Sequence, residues 1–205
     1  MCTNKTCKKQ GSAQAIKFAQ DLGLPDVKVE AVGCLGNCGN GPNMVLLPDK
    51  LLLNHVSTPA KMADILRTLC GSDISEPLLK ATELRLAGND EARVGNLHAA
   101  VELYTQGLEV APAQMRHLLY ANRSGARRGL GDSQGALDDA NAAAAAAPPG
   151  FTTAFVRQVE AHVALQQFRE AAQALEEGAR REPSFAKSAD YKQLAGGLQQ
   201  VLQRR

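Results

Sequence analysis

The sequence predicts a small α+β domain at the N-terminus, followed by an all-α solenoid of repeated helix pairs. Four of the five cysteines fall within the first 38 residues, where helical and strand-like patterns alternate. From about Pro77 onward the apolar pattern is helical throughout, and similar helix pairs recur at steps of about 36 and 35 residues. The predicted domains are residues 1–71 and 78–205, joined by a polar linker at 72–77.

The first domain is predicted to combine helices with strands. Residues 12–22 place apolar side chains on one helical face, with Ser12 as the N-cap. A second helix is predicted to open at Ser57-Thr58-Pro59, because proline is favourable at the first helical position. Three strands are predicted, at residues 27–31, 44–47 and 51–56. This mixture of periods indicates an α+β fold.

Three copies of one helix-pair pattern follow the linker. In each copy small residues mark the positions where paired helices approach, and a proline follows the second helix. The copies start at about Ala81, His117 and Thr152, and their prolines are Pro112, Pro148 and Pro183. The pattern resembles the tetratricopeptide (TPR) repeat, whose period is about 34 residues. Residues 187–203 are predicted to form a helix that caps the last repeat.

Composition and charge narrow the possible functions. A net charge of +2 over 205 residues argues against a broad nucleic-acid-binding surface. No apolar run approaches the roughly 20 residues that a membrane-spanning helix needs, and the start at Met1 lacks the apolar core of a signal peptide. No Ser/His/Asp set, pair of catalytic carboxylates or phosphate-binding loop is recognisable. The sequence therefore gives no support to an enzyme.

The clustered cysteines are the first candidate site. Cys2 and Cys7 are spaced C-x4-C, and Cys34 and Cys38 are spaced C-x3-C. Without a secretory signal, such a cluster predicts metal or redox ligands before structural disulfides. Four thiolates can hold a [2Fe–2S] cluster or a tetrahedral zinc ion, and two disulfides or a redox dithiol pair are further alternatives. The fifth cysteine, Cys70, is predicted to be a buried helix residue without a ligand role.

The cysteine motifs resemble a known family. The segments Cys2-Thr3-Asn4-Lys5-Thr6-Cys7 and Gly33-Cys34-Leu35-Gly36-Asn37-Cys38, with Gly41-Pro42 after them, are similar to the thioredoxin-like [2Fe–2S] ferredoxins. These proteins are relatives of the small thioredoxin-like iron–sulfur subunit of respiratory complex I. The resemblance covers about residues 1–70. It implies a thioredoxin-like fold with a cis Gly41-Pro42 bond, a cluster held by the four cysteines, and electron transfer.

The joined domains suggest two competing functions. The first is a [2Fe–2S] electron carrier or redox sensor that has a redox partner protein and docks to another protein through its TPR domain. The alternative is a non-redox TPR adaptor or assembly factor with a structural zinc or vestigial cluster site. A disulfide reductase fits less well, because neither cysteine pair has the C-x-x-C spacing. The domain combination is similar to proteins of plants and green algae, which implies the chloroplast stroma, with the cytoplasm as the alternative.

The predicted TPR region carries a second candidate site. TPR domains bind extended peptides on a concave face, and some clamp the C-terminal carboxylate of the large heat-shock chaperones with five polar side chains. That pattern maps onto Arg85, Asn89, Asn122, Thr153 and Arg157. The two Arg and two Asn residues can donate hydrogen bonds to carboxylates and are the predicted peptide-binding residues, whereas Thr153 replaces the usual Lys and removes one charge. An acidic chaperone C-terminus is the predicted partner; alternatively, these residues recur for local reasons and the groove binds something else.

Overall fold

The computed structural model describes residues 1–24 and 26–203, so Arg204 and Arg205, at the end of the predicted second domain, lie outside it. The chain divides into two compact units, Met1–Glu83 and Leu84–Arg205. The described residues contain ten α-helices, a short 3-10 helix and a two-stranded sheet. None of these described helices has the length and apolar content that crossing a membrane requires.

The described part of the first unit contains three complete helices and one β-hairpin. Its elements are α1 (Lys5–Lys9), α2 (Ser12–Asp21), β1 (Met44–Leu46), β2 (Leu51–Leu53) and α3 (Pro59–Leu69). Phe18, Met62 and Leu66 are among its buried apolar side chains. As predicted, α3 starts with proline, and the Thr58 hydroxyl caps it by accepting a hydrogen bond from the Lys61 N–H at 3.2 Å. Ser12 is the first residue of α2 and not its cap, which is Gly11.

The thioredoxin-like α+β fold predicted for the first domain is wrong. The only sheet in the described residues is the antiparallel β1–β2 hairpin. The predicted strand at 27–31 is not formed; the adjacent Val32 makes one isolated parallel bridge, with Cys2. This pairing ends after Thr3, because the chain then enters α1 at its N-cap, Asn4. The regular secondary structure of the described residues is therefore almost entirely helical.

The second unit is a stack of helix pairs. Helix α4 (Glu76–Arg93) spans the boundary between the units. The later helices are α5 (Leu97–Val110), α6 (Ala113–Gly129), α7 (Ser133–Ala146), α8 (Thr153–Ala164), α9 (Phe168–Arg181) and α10 (Ala189–Gln203). From α5 to α9 each helix packs against the next, and α10 packs against α9. The three predicted repeats cover α4–α5, α6–α7 and α8–α9, and the predicted capping segment, residues 187–203, covers α10.

Glycines allow close helix packing where the repeat pattern places them. A Cβ atom on Gly88 of α4 would lie 2.5 Å from Cε1 of Tyr104 on α5. The Tyr104 ring is 2% exposed, and its hydroxyl donates a 2.8 Å hydrogen bond to Asn89. The ring therefore has little freedom to move away, and the α4–α5 contact depends on the missing side chain at position 88.

We expect Gly88→Ala to destabilise the protein by about 1–3 kcal/mol, because the added methyl group overpacks this contact. The matched control is Gly197→Ala in α10, where a Cβ would meet nothing within 4 Å. There we expect stabilisation by about 0.5–1 kcal/mol from the better helix propensity of alanine. Urea unfolding of the full chain measures both changes, and equal effects of the two substitutions would contradict this account of the packing.

Candidate peptide-binding groove and cysteine cluster

Three predicted clamp residues line one cavity in the second unit, which we call the groove. Asn89 on α4, Asn122 on α6 and Arg157 on α8 border a space of about 300 Å³. The other lining residues are Ala92, Leu97, Tyr104, Gly125, Ala126 and Arg128. The three polar side chains come from the first helix of successive pairs. Repetition of the helix pair therefore brings together residues that are far apart in sequence.

Asn89 and Asn122 form the polar centre of the groove. The Asn89 Oδ1 accepts hydrogen bonds from the Tyr104 hydroxyl at 2.8 Å and from the Asn122 Nδ2 at 2.7 Å. With both donors on Oδ1, the amide nitrogen of Asn89 is the group it can offer to a ligand. Burial raises the pKa of Tyr104 to about 12, so at neutral pH the phenol remains a neutral donor that fixes Asn89.

Arg157 supplies positive charge to the groove. Its Nε donates to the backbone oxygen of Ala121 at 3.2 Å, and its Nη1 donates to Glu160 Oε2 at 2.6 Å. A Cβ on Gly125 would lie 3.3 Å from the Arg157 guanidinium carbon, so a small residue at position 125 leaves room for this side chain. Arg128 approaches the same carboxylate, with its Nε 3.6 Å from Glu160 Oε2.

The remaining two positions of the clamp pattern lie in other surroundings. Arg85 is 3% exposed and interacts electrostatically with Tyr104 and His117. Burial lowers the pKa of His117, and the positive charge of Arg85 lowers it further. Thr153 is the first residue of α8 and is half-buried. Arg85 therefore contributes charge close to the groove residue Tyr104, whereas Thr153 contributes no charge.

Arg128, Glu160 and Tyr104 also belong to this site or contact it, and the clamp pattern does not include them. Arg128 lies on the same helix as Asn122, and Glu160 lies one turn after Arg157 on α8. Spacing of three residues along a helix was the available signal for the Arg157–Glu160 pair. The clamp pattern names only donors, so it gave no reason to look for an acidic residue among them.

The structure arranges the four clustered cysteines as two neighbouring pairs. The Sγ atoms of Cys34 and Cys38 are 3.6 Å apart, and both residues are exposed. Cys2 and Cys7 are buried, and their side chains are hydrogen-bonded to each other. Electrostatic interactions connect Cys34 with both Cys2 and Cys7. The Gly41-Pro42 bond beside this cluster is cis, as predicted.

The two cysteines of each pair differ in acidity. The backbone N–H of Gly36, 3.4 Å from the Cys34 sulfur, lowers the pKa of Cys34, whereas the hydrogen bond to Cys34 raises the pKa of Cys38. Burial opposes ionisation of Cys2, but hydrogen bonds from the backbone and from Cys7, together with the positive N-terminus, outweigh burial and lower its pKa. Burial raises the pKa of Cys7. One thiol of each pair is thus the better proton donor.

Among the residues that the structure describes, no set of three or more His, Cys, Asp or Glu side chains is arranged to hold a metal ion. The fit to a [2Fe–2S] cluster that the family resemblance implied is therefore not found. The fifth cysteine, Cys70, is the half-buried C-cap of α3 and not a buried residue within the helix.

Comparison with known proteins finds similarity to TPR domains, although no protein-family model matches the chain. The chain is 32% identical to a STIP1 homolog of Dictyostelium discoideum over 111 residues. This matched segment covers 54% of the chain and 19% of that protein. The first TPR domain of Spaghetti (RPAP3), bound to the HSP90 peptide SRMEEVD, has a TM-score of 0.53, 28% identity, and coverage of 60% of this chain and 93% of that domain. The second TPR domain of human RPAP3, in complex with the HSP70 peptide SGPTIEEVD, has a TM-score of 0.53, 25% identity, and coverage of 60% and 98%.

These similarities identify a TPR domain in the chain and correct the redox prediction. The two similar structures are TPR domains bound to chaperone peptides. With no thioredoxin-like sheet and no metal-holding group in the described residues, the prediction of an iron–sulfur, ferredoxin-type electron-transfer protein is wrong. The alternative prediction, a non-redox TPR adaptor, agrees better with the similar proteins than the electron carrier does. The chain spans 19%, 30% and 36% of the length of three curated relatives.

Proposed function

We propose that the chain is a non-redox adaptor whose groove binds the acidic C-terminal segment of a partner protein of the heat-shock chaperone type. The observation that carries this proposal is the convergence of Asn89, Asn122 and Arg157 from three helix pairs on one groove. It is supported by two similar TPR domains, which bind the peptides SRMEEVD and SGPTIEEVD. Both peptides end in Glu-Glu-Val-Asp and so offer several carboxylates.

The chemistry of the groove suits such a ligand. The amide groups of Asn89 and Asn122 donate hydrogen bonds, and the Arg157 guanidinium provides charge-assisted donors to a carboxylate. The Tyr104 hydroxyl holds Asn89 in place through its hydrogen bond, and Gly125 leaves space for Arg157. Thr153 supplies no charge where the clamp pattern usually has Lys, so we expect weaker binding than a complete five-residue clamp would give.

Calorimetric titration of the full chain with SRMEEVD and SGPTIEEVD tests the proposal. We expect both peptides to bind, and binding to weaken as salt is added, because the contacts are between charges. The control is each peptide with its C-terminal carboxylate converted to an amide, for which we expect about tenfold or greater loss of affinity. Absence of binding, or equal affinity for acid and amide, would remove the proposed function.

Two expectations from the sequence remain predictions beside this proposal. Zinc bound by Cys2, Cys7, Cys34 and Cys38 is the first, and metal analysis of the purified chain tests it. A location in the chloroplast stroma is the second, and microscopy of the tagged protein in its own cells tests that. The adaptor function requires neither of them.

A further inference from the structure

An acidic side chain, that of Glu160, already contacts the two arginines that line the groove. Glu160 Oε2 lies 2.6 Å from Arg157 Nη1 and 3.6 Å from Arg128 Nε. The side chains of Glu160 and Arg157 are 24% and 27% exposed, so this contact is partly shielded from water. Shielding strengthens the attraction between the charges relative to a fully exposed pair. The carboxylate of Glu160 is thus in the position of an internal ligand for Arg157.

This contact has consequences for any carboxylate that enters the groove. Arg157 is the lining residue on which the proposed function relies for a charged donor, and Arg128 is a second cation that lines the same space. An incoming carboxylate must share Arg157 with Glu160, and the negative charge of Glu160 repels it. Because this repulsion acts on each carboxylate of the ligand, Glu160 weakens binding of a ligand with several carboxylates more than binding of a ligand with one.

We propose that Glu160 is an internal competitor that weakens binding of acidic peptides to the groove, and most strongly of those with several carboxylates. This inference rests on the proposed function and adds to it a determinant of specificity. A different role is that Glu160 only positions Arg157 for the ligand. The two roles predict opposite results, because loss of a competitor raises affinity, whereas loss of a positioning contact lowers it.

Two substitutions at one residue separate these roles. Glu160→Gln removes the charge and keeps an oxygen that can accept the Arg157 hydrogen bond, and Glu160→Ala removes both. The matched control is Glu177→Gln on α9, which removes the same charge from a carboxylate paired with Arg180 and Arg181 away from the groove lining. Circular dichroism checks that each variant is folded.

Titration of SRMEEVD into the wild-type chain and these variants tests the inference. We expect both Glu160 variants to bind about three- to tenfold more tightly than wild type, with Glu177→Gln within about twofold of it. We also expect the preference for SRMEEVD over an analogue with both Glu residues replaced by Gln to grow in Glu160→Gln, because the charge that is removed repels the more acidic peptide more strongly. Unchanged or lower affinity of both Glu160 variants overturns the competitor role, and so does an equal gain in Glu177→Gln.

The outcomes also separate this inference from the proposed function. Binding by wild type with no gain in the variants leaves the adaptor function and overturns the inference alone. Binding by the Glu160 variants but not by wild type supports the inference and removes the proposed function for the natural chain. Absence of binding by every variant overturns both.

Arg128 provides a second, independent readout. If Glu160 engages Arg128, then Arg128→Gln should cost little affinity in wild type and about threefold or more in the Glu160→Gln background, where the arginine can turn to the ligand. A double-mutant cycle measures this coupling. Equal effects of Arg128→Gln in both backgrounds overturn the part of the inference that concerns Arg128.

Discussion

Arg157→Ala lowers the affinity of the groove for SRMEEVD by about 30-fold or more, because it removes the charged donor that faces the ligand carboxylate. The loss has a second component in this chain. Without Arg157, the nearby carboxylate of Glu160 keeps only Arg128, 3.6 Å away, and its negative charge repels the ligand more strongly. Calorimetric titration measures the change, and a variant that also carries Glu160→Gln should recover part of the affinity.

Arg169→Ala is the control for the loss of a positive charge. Arg169 is an exposed residue of α9 and borders a different cavity, so we expect its removal to change affinity by less than about twofold. Asn122→Ala tests the uncharged part of the groove, since it removes the 2.7 Å hydrogen bond to Asn89 along with a donor to the ligand. Wild-type affinity in Arg157→Ala would show that the peptide binds elsewhere.

The helical repeats could be predicted because their signals are local. Each helix pair carries its own apolar face, small contact residues and terminal proline, and most of its contacts are with the neighbouring pair. Gly88 and Tyr104 illustrate this, because they belong to the two helices of one pair and are in close contact in the structure. Each short stretch of the second unit therefore contains the signals that predict its own helix pair.

The first unit was predicted less well because strand pairing depends on distant partners. The alternation at 27–31 indicates a half-buried extended segment, but it does not state which segment lies beside it. The structure supplies only an isolated bridge between Cys2 and Val32. Cysteine spacing had a similar limit, since it predicted that the four sulfurs lie near one another but not that they would form two pairs.

In the groove, too, some residues could be predicted from the sequence and others could not. Asn89, Asn122 and Arg157 occupy comparable positions in successive repeats, so a pattern of donors placed them on one face in advance. Glu160 could not be recognised in that way, because its effect depends on two distances to arginines on α8 and α6. Competition within a site is a property of geometry and charge together.

The second large effect is expected for the stability of the helix stack. Asp139 of α7 is 3% exposed and accepts two hydrogen bonds from Arg123 of α6, at 2.9 Å and 2.7 Å. Arg127 approaches the same carboxylate at 3.1 Å, and Arg123 also donates to Thr105 of α5 at 3.0 Å. One buried carboxylate therefore holds the arginines that connect three successive helices.

We expect Asp139→Ala to lower the free energy of unfolding by about 3–5 kcal/mol, because it leaves the charge of Arg123 partly buried without its carboxylate partner. The control is Asp138→Ala, the adjacent residue on the same helix, which is exposed and accepts one hydrogen bond, from Gln134. We expect that change to cost less than about 0.5 kcal/mol. Urea unfolding of the full chain measures both values.

A double replacement tests why Asp139→Ala lowers the free energy of unfolding. The cause is either the charge of Arg123 left without a partner or the loss of the contact itself. Arg123→Met together with Asp139→Leu removes both charges and fills the space with apolar groups, so it should be clearly less destabilising than Asp139→Ala alone. If the double variant is as unstable as the single one, the ion pair contributes attraction that apolar packing cannot replace. If Asp139→Ala matches Asp138→Ala, the Arg123–Asp139 contact does not hold the helices together, and the stack depends on its small-residue packing alone.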